Sequence, residues 1–156
     1  MTDTRPDLIA GLSHEEAVEL LARGTRVNLS SGEVLFRMGS EANTLYLVER
    51  GRIALTLPMQ VCGREEDVLV EERLPGQTVG WSALIPPYRF TLKATAPLET
   101  EVIALTRSAL LDHFGEYPVV GYIVTRNVAS VIGQRLQVFQ AMWLREMQRL
   151  VELRCA

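Results

Sequence analysis

The sequence predicts a mainly β fold of sandwich or jelly-roll type, with helices flanking it on both sides. Short β-type runs recur about every ten residues between positions 25 and 106, with glycine-containing turns between them. Apolar residues at helical spacing precede this region, and a much longer helical pattern follows it. The chain has 156 residues, which suits one domain that buries its core without disulfides. We therefore expect residues 1–156 to form a single domain.

The first predicted element is a helix within residues 7–24. Ser13 and Glu16 have the spacing of a capping box, in which each side chain bonds the backbone N–H of the other residue. Ala17 and Leu20 then continue at helical spacing, and Gly24 is a suitable stop.

The predicted jelly roll occupies residues 25–106. Its strand-like runs are 25–29, 34–37, 44–49, 52–57, 67–74, 91–94 and 100–106. A single helical turn at 80–84 interrupts the strands. Pro86 and Pro87 end that turn, because successive prolines neither continue a helix nor donate ladder hydrogen bonds.

Residues 107–156 are predicted to be helical again. A short helix covers 108–116, and Pro118 opens a long one, in whose first turn the missing proline N–H is not needed. The apolar residues of the long helix follow alternating three- and four-residue steps, with Glu146 as the polar break: Ala129, Ile132, Leu136, Phe139, Trp143, Leu150 and Leu153. Such a heptad seam predicts a homodimer. The expected interface residues are Ile132, Leu136, Phe139, Trp143 and Leu150.

Composition and charge exclude several classes of protein. The net charge of −3 argues against nonspecific nucleic-acid binding. Cys62 and Cys155 form no CxxC pair, and His14 and His113 both lie on predicted helices. These residues supply neither a structural zinc site nor the metal centre of a cupin-type enzyme, so we expect no metal and no enzymatic activity. The absence of a signal-peptide run and of a membrane-length apolar run predicts a cytoplasmic protein with no membrane contact.

Several glycine-punctuated stretches name a family. Residues 31–42, 45–53 and 75–80, followed by 82–85, resemble the cyclic nucleotide-binding domain of bacterial regulators of the catabolite activator and FNR type, which includes the cAMP receptor protein. The resemblance extends over about residues 12–140. It implies an eight-stranded, double-stranded β-helix jelly roll with flanking helices, a phosphate-binding cassette at 76–91, and a long C-terminal helix that often dimerises.

The same resemblance assigns the candidate ligand-binding residues. A cyclic phosphate would lie at the amides of the short cassette turn and pair with an arginine, and Arg89 is the only arginine in the loop after that turn. Two positions on the long helix correspond to those that meet the purine in the cAMP receptor protein. The candidates are Gly80, Trp81, Ser82, Ala83, Leu84, Arg89, Phe90, Thr91, Phe139 and Gln140.

Two features of this cassette depart from the nucleotide-binding pattern. Where the family has a glutamate that accepts from the ribose 2′-hydroxyl, this chain has Trp81, and an indole cannot accept in that manner. The segment 86–91 is shorter than in the cAMP-binding pattern, which shifts Arg89 out of register, and the bulky Phe90 follows it. We therefore expect no tight binding of cAMP or cGMP. The ligand candidates are a cyclic nucleotide, cAMP or cGMP, and another small anionic effector.

The predicted function is that of a homodimeric, effector-sensing regulatory module. One alternative is the sensor part of a catabolite activator or FNR-type transcription regulator whose DNA-binding domain is missing from this sequence. Another is a dimerisation scaffold with a dead pocket, acting through a partner protein. No helix-turn-helix pattern follows the long helix, so we expect no direct nucleic-acid binding.

Overall fold

Two four-stranded antiparallel sheets form the body of the protein, as the computed structural model of residues 5–156 shows. The strands are β1 Thr25–Leu29, β2 Val34–Phe36, β3 Thr44–Arg50, β4 Ile53–Val61, β5 Arg64–Arg73, β6 Thr78–Val79, β7 Lys93–Thr95 and β8 Thr100–Thr106. One sheet has the order β1-β8-β3-β6 and the other β2-β7-β4-β5. The helices are α1 His14–Leu21, α2 Arg107–Glu116 and α3 Pro118–Arg154. The predicted jelly roll with flanking helices and a long C-terminal helix is thereby confirmed.

The strands differ from the prediction mainly around β5 and β6. The β4–β5 hairpin is longer than expected, and Cys62 and Gly63 at its tip both have positive φ, 51° and 77°. Two such residues in succession match the tight turn whose twist suits a hairpin. β6 has only two residues, too few to produce an alternating pattern in the sequence.

The N-terminal region is divided into two pieces where one helix was predicted. A 3₁₀ turn at Asp7–Ile9 comes first, and Gly11, with φ of +88°, separates it from α1. The predicted capping box is present: the Ser13 hydroxyl accepts from the Glu16 N–H at 3.1 Å, and the Glu16 carboxylate accepts from the Ser13 N–H at 2.9 Å.

The apolar core consists of two clusters. One lies between the helices and the first sheet, and the other lies inside the jelly roll. The first includes Leu8, Leu20, Leu45, Leu105, Leu110 and Val124, and the second includes Val48, Ile53, Val79, Phe90 and Val102.

The long helix α3 changes environment along its length. Its first half packs on the first cluster through Val120, Val124 and Val128, and Val131 is buried as well. Beyond Arg135, the described chain contains no further buried residue of α3. Within residues 5–156, none of the helices has a stretch that is both long and apolar enough to span a bilayer.

Candidate functional site

The candidate site begins at Gly80, between β6 and the 3₁₀ turn Trp81–Ala83, which we call the cassette turn. Gly80 has φ of +83°, in the region that favours glycine. A Cβ at this position would lie 3.2 Å from the Phe90 ring and 3.3 Å from the Thr44 carbonyl oxygen. Both the backbone conformation and the available space therefore require a glycine where the chain enters the cassette.

A small cavity lies against the cassette turn. The space within it that a water molecule can enter is about 10 Å³, which is about the room that one water needs. The cavity is lined by Phe36, Leu55, Gly80, Trp81, Ser82, Phe90, Thr91, Leu92 and Arg135. Five of the predicted ligand-binding residues thus meet at one place, but the described conformation leaves no room for a nucleotide.

Two aromatic rings form one wall of this cavity. Phe36 from β2 and Phe90 from the cassette loop are buried and stack nearly parallel, with ring centroids 3.6 Å apart and an interplanar angle of 8°. The Tyr46 ring lies 6.2 Å from that of Phe36 and extends the stack. Burying aromatic rings against each other is favourable beyond the area removed from water. The apolar side of the cavity is therefore closed by packing.

Trp81 lies between the cavity and the helical part of the core. Its partly buried indole lines the cavity and also packs against the first apolar cluster. Ala83 and Leu84 belong to that same cluster and do not line the cavity. The resemblance to the family predicts that Trp81 stands in place of a ribose-binding glutamate, and the indole offers no hydrogen-bond acceptor there.

Arg89 lies outside the cavity lining. Its side chain is exposed, and its Nη1 donates to the Gly39 carbonyl oxygen at 3.2 Å. Its backbone pairs with Glu41 in an isolated antiparallel bridge. The arginine predicted to meet a phosphate is therefore bound to a neighbouring turn in this conformation.

A different arginine lines the cavity. Arg135 of α3 is 8% exposed, and its Nε donates to the Glu71 carboxylate of β5 at 2.6 Å. Burial lowers the pKa of the Arg135 guanidinium, and the adjacent Glu71 charge acts in the opposite direction.

The Arg135–Glu71 pair is part of a larger charge network. Glu71 also accepts from Arg73 Nη1 at 2.9 Å, and Arg73 Nη2 donates to Asp7 at 3.0 Å. Arg73 Nε donates to the Thr78 carbonyl oxygen at 3.0 Å, and the Thr78 hydroxyl bonds Asp7. Four segments of the chain are joined by these contacts: the N-terminal turn, β5, β6 and α3.

We compared the chain with known protein families. The cyclic nucleotide-binding domain family matches residues 26–117, more than half of the chain. The chain belongs to that family.

Solved structures and a curated relative are similar to this cyclic nucleotide-binding domain. The N-terminal domain of a transcriptional regulator from Streptomyces coelicolor A3(2) is 28% identical with a TM-score of 0.71, covering 86% of this chain and 92% of that one. The catabolite activator protein of Thermus thermophilus is 26% identical with a TM-score of 0.74, covering 91% and 63%. Lysophospholipase nte1 of Neurospora crassa is 27% identical over 113 residues, 72% of this chain but only 7% of that protein.

The sequence analysis did not identify Arg107, which hydrogen-bonds the cassette turn of this domain. Its Nη1 donates to the carbonyl oxygens of Ala42 at 2.8 Å and Ala83 at 3.1 Å. Its guanidinium also lies 4.0 Å from the centre of the Tyr88 ring, a cation–π arrangement. Arg107 is the first residue of α2, and no local pattern marks it, because its partners are distant in sequence.

The seam predicted along α3 is divided between two faces of the helix. Leu136, Trp143 and Leu150 are 68%, 61% and 51% exposed. Ile132 and Phe139, which the prediction placed beside them, instead pack against the core clusters of their own chain.

The surface stripe at three- and four-residue steps is Ala129, Gly133, Leu136, Gln140, Trp143, Met147 and Leu150. Gln140, a predicted base contact, is therefore on the outer stripe, while Phe139 faces the barrel.

The remaining candidate residues do not assemble into a metal site. Within residues 5–156, no three His, Cys, Asp or Glu side chains are grouped so that they could hold an ion. In the same range, both cysteines are free and exposed. His14 is exposed, whereas His113 is buried with its ring 4.9 Å from that of Tyr117.

Proposed function

We propose that this chain is a cytoplasmic, homodimeric regulatory module of the cyclic nucleotide-binding family that does not bind cAMP or cGMP in the family's usual manner. The observation that carries the proposal is the cavity of about 10 Å³ closed by the Phe36–Phe90 stack. A nucleotide would have to separate two buried rings before it could reach the cassette turn. The unpaired cysteines agree with a reducing compartment.

Two polar contacts that a cyclic nucleotide needs are also lacking in this conformation. Trp81 offers no acceptor for a ribose hydroxyl, and Arg89 donates to Gly39. The loss of a carboxylate–hydroxyl contact alone costs roughly 1.5–3 kcal/mol, or about one to two decades of affinity. The two effects add to the cost of opening the aromatic stack, so the proposed effector is a small anionic molecule that uses other contacts. Catalysis has no part in the proposal.

The ligand part of the proposal is tested by thermal unfolding with cAMP, cGMP and cyclic di-GMP. A ligand at ~100 times its Kd adds about 2.7 kcal/mol to the folded state, which is readily measured. We expect millimolar cAMP and cGMP to leave the Tm unchanged. A rise in Tm that the Arg89→Ala variant abolishes would contradict the proposal and establish a standard nucleotide sensor.

Pairing of two copies through α3 is supported by its exposed stripe. Apart from Gln140 the stripe is formed by apolar residues and Gly133, and a monomer rarely presents a large apolar surface to water. A Cβ at Gly133 would meet nothing within 4 Å, so a neighbouring helix has room to approach there.

Replacing Leu136 and Trp143 together by Glu should convert a dimer into a monomer, as measured by light scattering. The control is Leu111→Glu, an exposed leucine of α2. A monomeric wild type, or a double variant that remains dimeric, would contradict the pairing.

A second candidate function is the sensor part of a longer transcription regulator. The observation that favours it is the similarity to two proteins described as a transcriptional regulator and a catabolite activator protein, the second of which is covered over only 63% of its length. Mass spectrometry of the protein from its native source distinguishes the two candidates. A product longer than 156 residues that carries a DNA-binding segment would favour the regulator.

A further inference from the structure

We propose that Arg135 on α3, and not Arg89, is the anion-binding group of this cassette, and that Glu71 occupies it as an internal substitute for an anionic effector. The effector class is a small molecule with a singly charged phosphate group, such as a cyclic phosphodiester. This inference rests on the proposed function, because it names the group through which an effector would act on the same site.

Arg135 is placed where an anion in the cavity would need it. Its side chain lines the cavity together with Ser82 and Thr91, whose hydroxyl groups are further donors for a phosphate. Within residues 5–156, the hydrogen bond of Arg135 is made by Nε, to Glu71. The N–H groups of its two Nη atoms therefore remain for another acceptor, and a guanidinium with free Nη donors suits a phosphate in the bidentate manner.

The charge network makes Glu71 the exchangeable partner. Arg73 has two carboxylates, Glu71 at 2.9 Å and Asp7 at 3.0 Å. Arg135 has a single carboxylate partner within the described residues, which is Glu71. If Glu71 is neutralised, Arg73 keeps a counter-ion and Arg135 does not. A buried arginine without a counter-ion is strongly destabilising. An entering anion with a single charge would restore the balance at Arg135.

The exchange would also act on the helix that carries the exposed stripe. The Arg135–Glu71 pair connects α3 to β5, and Arg135 is the last buried residue of α3 in the described chain. An effector that takes Arg135 from Glu71 would break this connection between the barrel and the helix. A ligand shifts an equilibrium only through its different affinity for the two states. Here the difference is electrostatic: the effector and Glu71 are both anions beside one guanidinium, so the bound effector favours the state in which Glu71 has moved away from Arg135.

The test compares the wild type with Glu71→Gln, which removes the competing charge but keeps the size of the side chain. Titration calorimetry with cAMP, cGMP and inorganic phosphate gives the Kd, and thermal unfolding gives the Tm. We expect Glu71→Gln to lower the Tm of the free protein by several degrees, and to bind at least one of these probes at least tenfold more tightly than the wild type does. Tighter binding of cAMP or cGMP without phosphate indicates an organic phosphodiester, and tighter binding of phosphate indicates that the anionic group suffices.

Two further variants identify the arginine responsible. In Glu71→Gln with Arg135→Gln, the gain in affinity should disappear. Glu71→Gln with Arg135→Met serves the same purpose if the first double variant does not fold, since an apolar side chain replaces the buried charge. Glu71→Gln with Arg89→Ala should keep the gain.

The inference is overturned if Glu71→Gln binds none of the three probes more tightly than the wild type. It is also overturned if the gain survives removal of Arg135, or if it is lost with Arg89. These outcomes are separate from failure of the proposed function. The latter would be shown by a wild type that already binds cAMP or cGMP tightly and loses that binding in Arg89→Ala.

Discussion

The two sides of the cassette cavity are closed by different physical means. On one side the Phe36 and Phe90 rings stack at 3.6 Å, and on the other Arg135 and Glu71 form an ion pair at 2.6 Å. A stack of rings can be opened only by losing burial and repacking the neighbours. In an ion pair, another anion of equal charge can replace one partner and leave the charges balanced. The aromatic side therefore sets the shape of the cassette, and the charged side is where we propose that an effector acts.

The largest expected effect is on the charged side, at Arg73. Its side chain is 3% exposed and bonds Asp7, Glu71 and the Thr78 carbonyl oxygen. Arg73→Ala removes three hydrogen bonds that are buried or partly buried. It leaves the partly buried carboxylate of Glu71 to Arg135 alone and that of Asp7 to Thr78 alone. We therefore expect a loss of about 3–5 kcal/mol in the free energy of unfolding. Urea unfolding provides the measurement. Arg50→Ala is the matched control, because the Arg50 side chain is 78% exposed and its pair with Glu101 should contribute less than about 1 kcal/mol. Equal losses in the two variants would show that the network is not a stabilising element.

The aromatic side should show a smaller effect when Phe90 is shortened to leucine. Phe90→Leu keeps an apolar side chain but removes the stacked ring, so we expect a loss of about 1–3 kcal/mol in the free energy of unfolding. The same urea experiment applies. Phe114→Leu, a partly buried phenylalanine outside the cassette, is the control for the loss of ring area alone. A change at Phe90 no larger than that at Phe114 would mean that the stack contributes no more than ordinary burial.

Arg107 joins the two types of contact, since it makes hydrogen bonds and also lies over the Tyr88 ring. Arg107→Ala should lower the free energy of unfolding by about 1–2 kcal/mol, because two hydrogen bonds to backbone carbonyl oxygens and a cation–π contact are lost. Arg107→Lys keeps the charge but not the planar group, and should recover part of the loss. Thermal unfolding measures both, and a lysine variant no more stable than the alanine variant would indicate that planarity decides the effect.

The smallest effect is expected at His113, a buried polar group outside both sides of the cavity. His113 is 1% exposed, and both of its ring nitrogens lack a hydrogen-bond partner among the described residues. Replacing a buried polar group that makes no hydrogen bond by an apolar one is neutral or favourable. His113→Leu should therefore change the free energy of unfolding by less than about 1 kcal/mol, or raise it. A large loss on urea unfolding would reveal a polar contact that this account does not contain, with His14→Leu as the exposed control.

The sequence was sufficient for the order of the α-helices, for seven of the eight strands and for local motifs, but not for β6 or for the separate 3₁₀ turn at Asp7–Ile9. The capping box at Ser13 and Glu16 depends on residues three apart, and the turn glycines are required by backbone conformation. Both kinds of signal lie within a few residues of each other. The same holds for Gly80, whose positive φ opens the cassette turn.

The contacts that define the site could not be predicted in this way. The partner of Arg135 is 64 residues away, those of Arg107 are 65 and 24 residues away, and only the folded topology brings them together. The face of α3 presented a different difficulty. Ile132 and Phe139 fit the heptad spacing as well as their neighbours do, but periodicity does not tell whether an apolar residue faces its own barrel or another chain. The ligand-binding and interface assignments made from the sequence therefore remain predictions.

The most direct test of the closed cassette is hydrogen exchange at the amides of Ser82, Ala83 and Leu84, followed in the wild type with and without millimolar cAMP. We predict the same exchange rates in both samples, because the stacked Phe36 and Phe90 rings leave the nucleotide no space and Arg89 is bound to Gly39. Slower exchange at these amides in the presence of cAMP would show that the nucleotide lies at the cassette turn. The cassette would then be open to cAMP, contrary to the closed conformation described above.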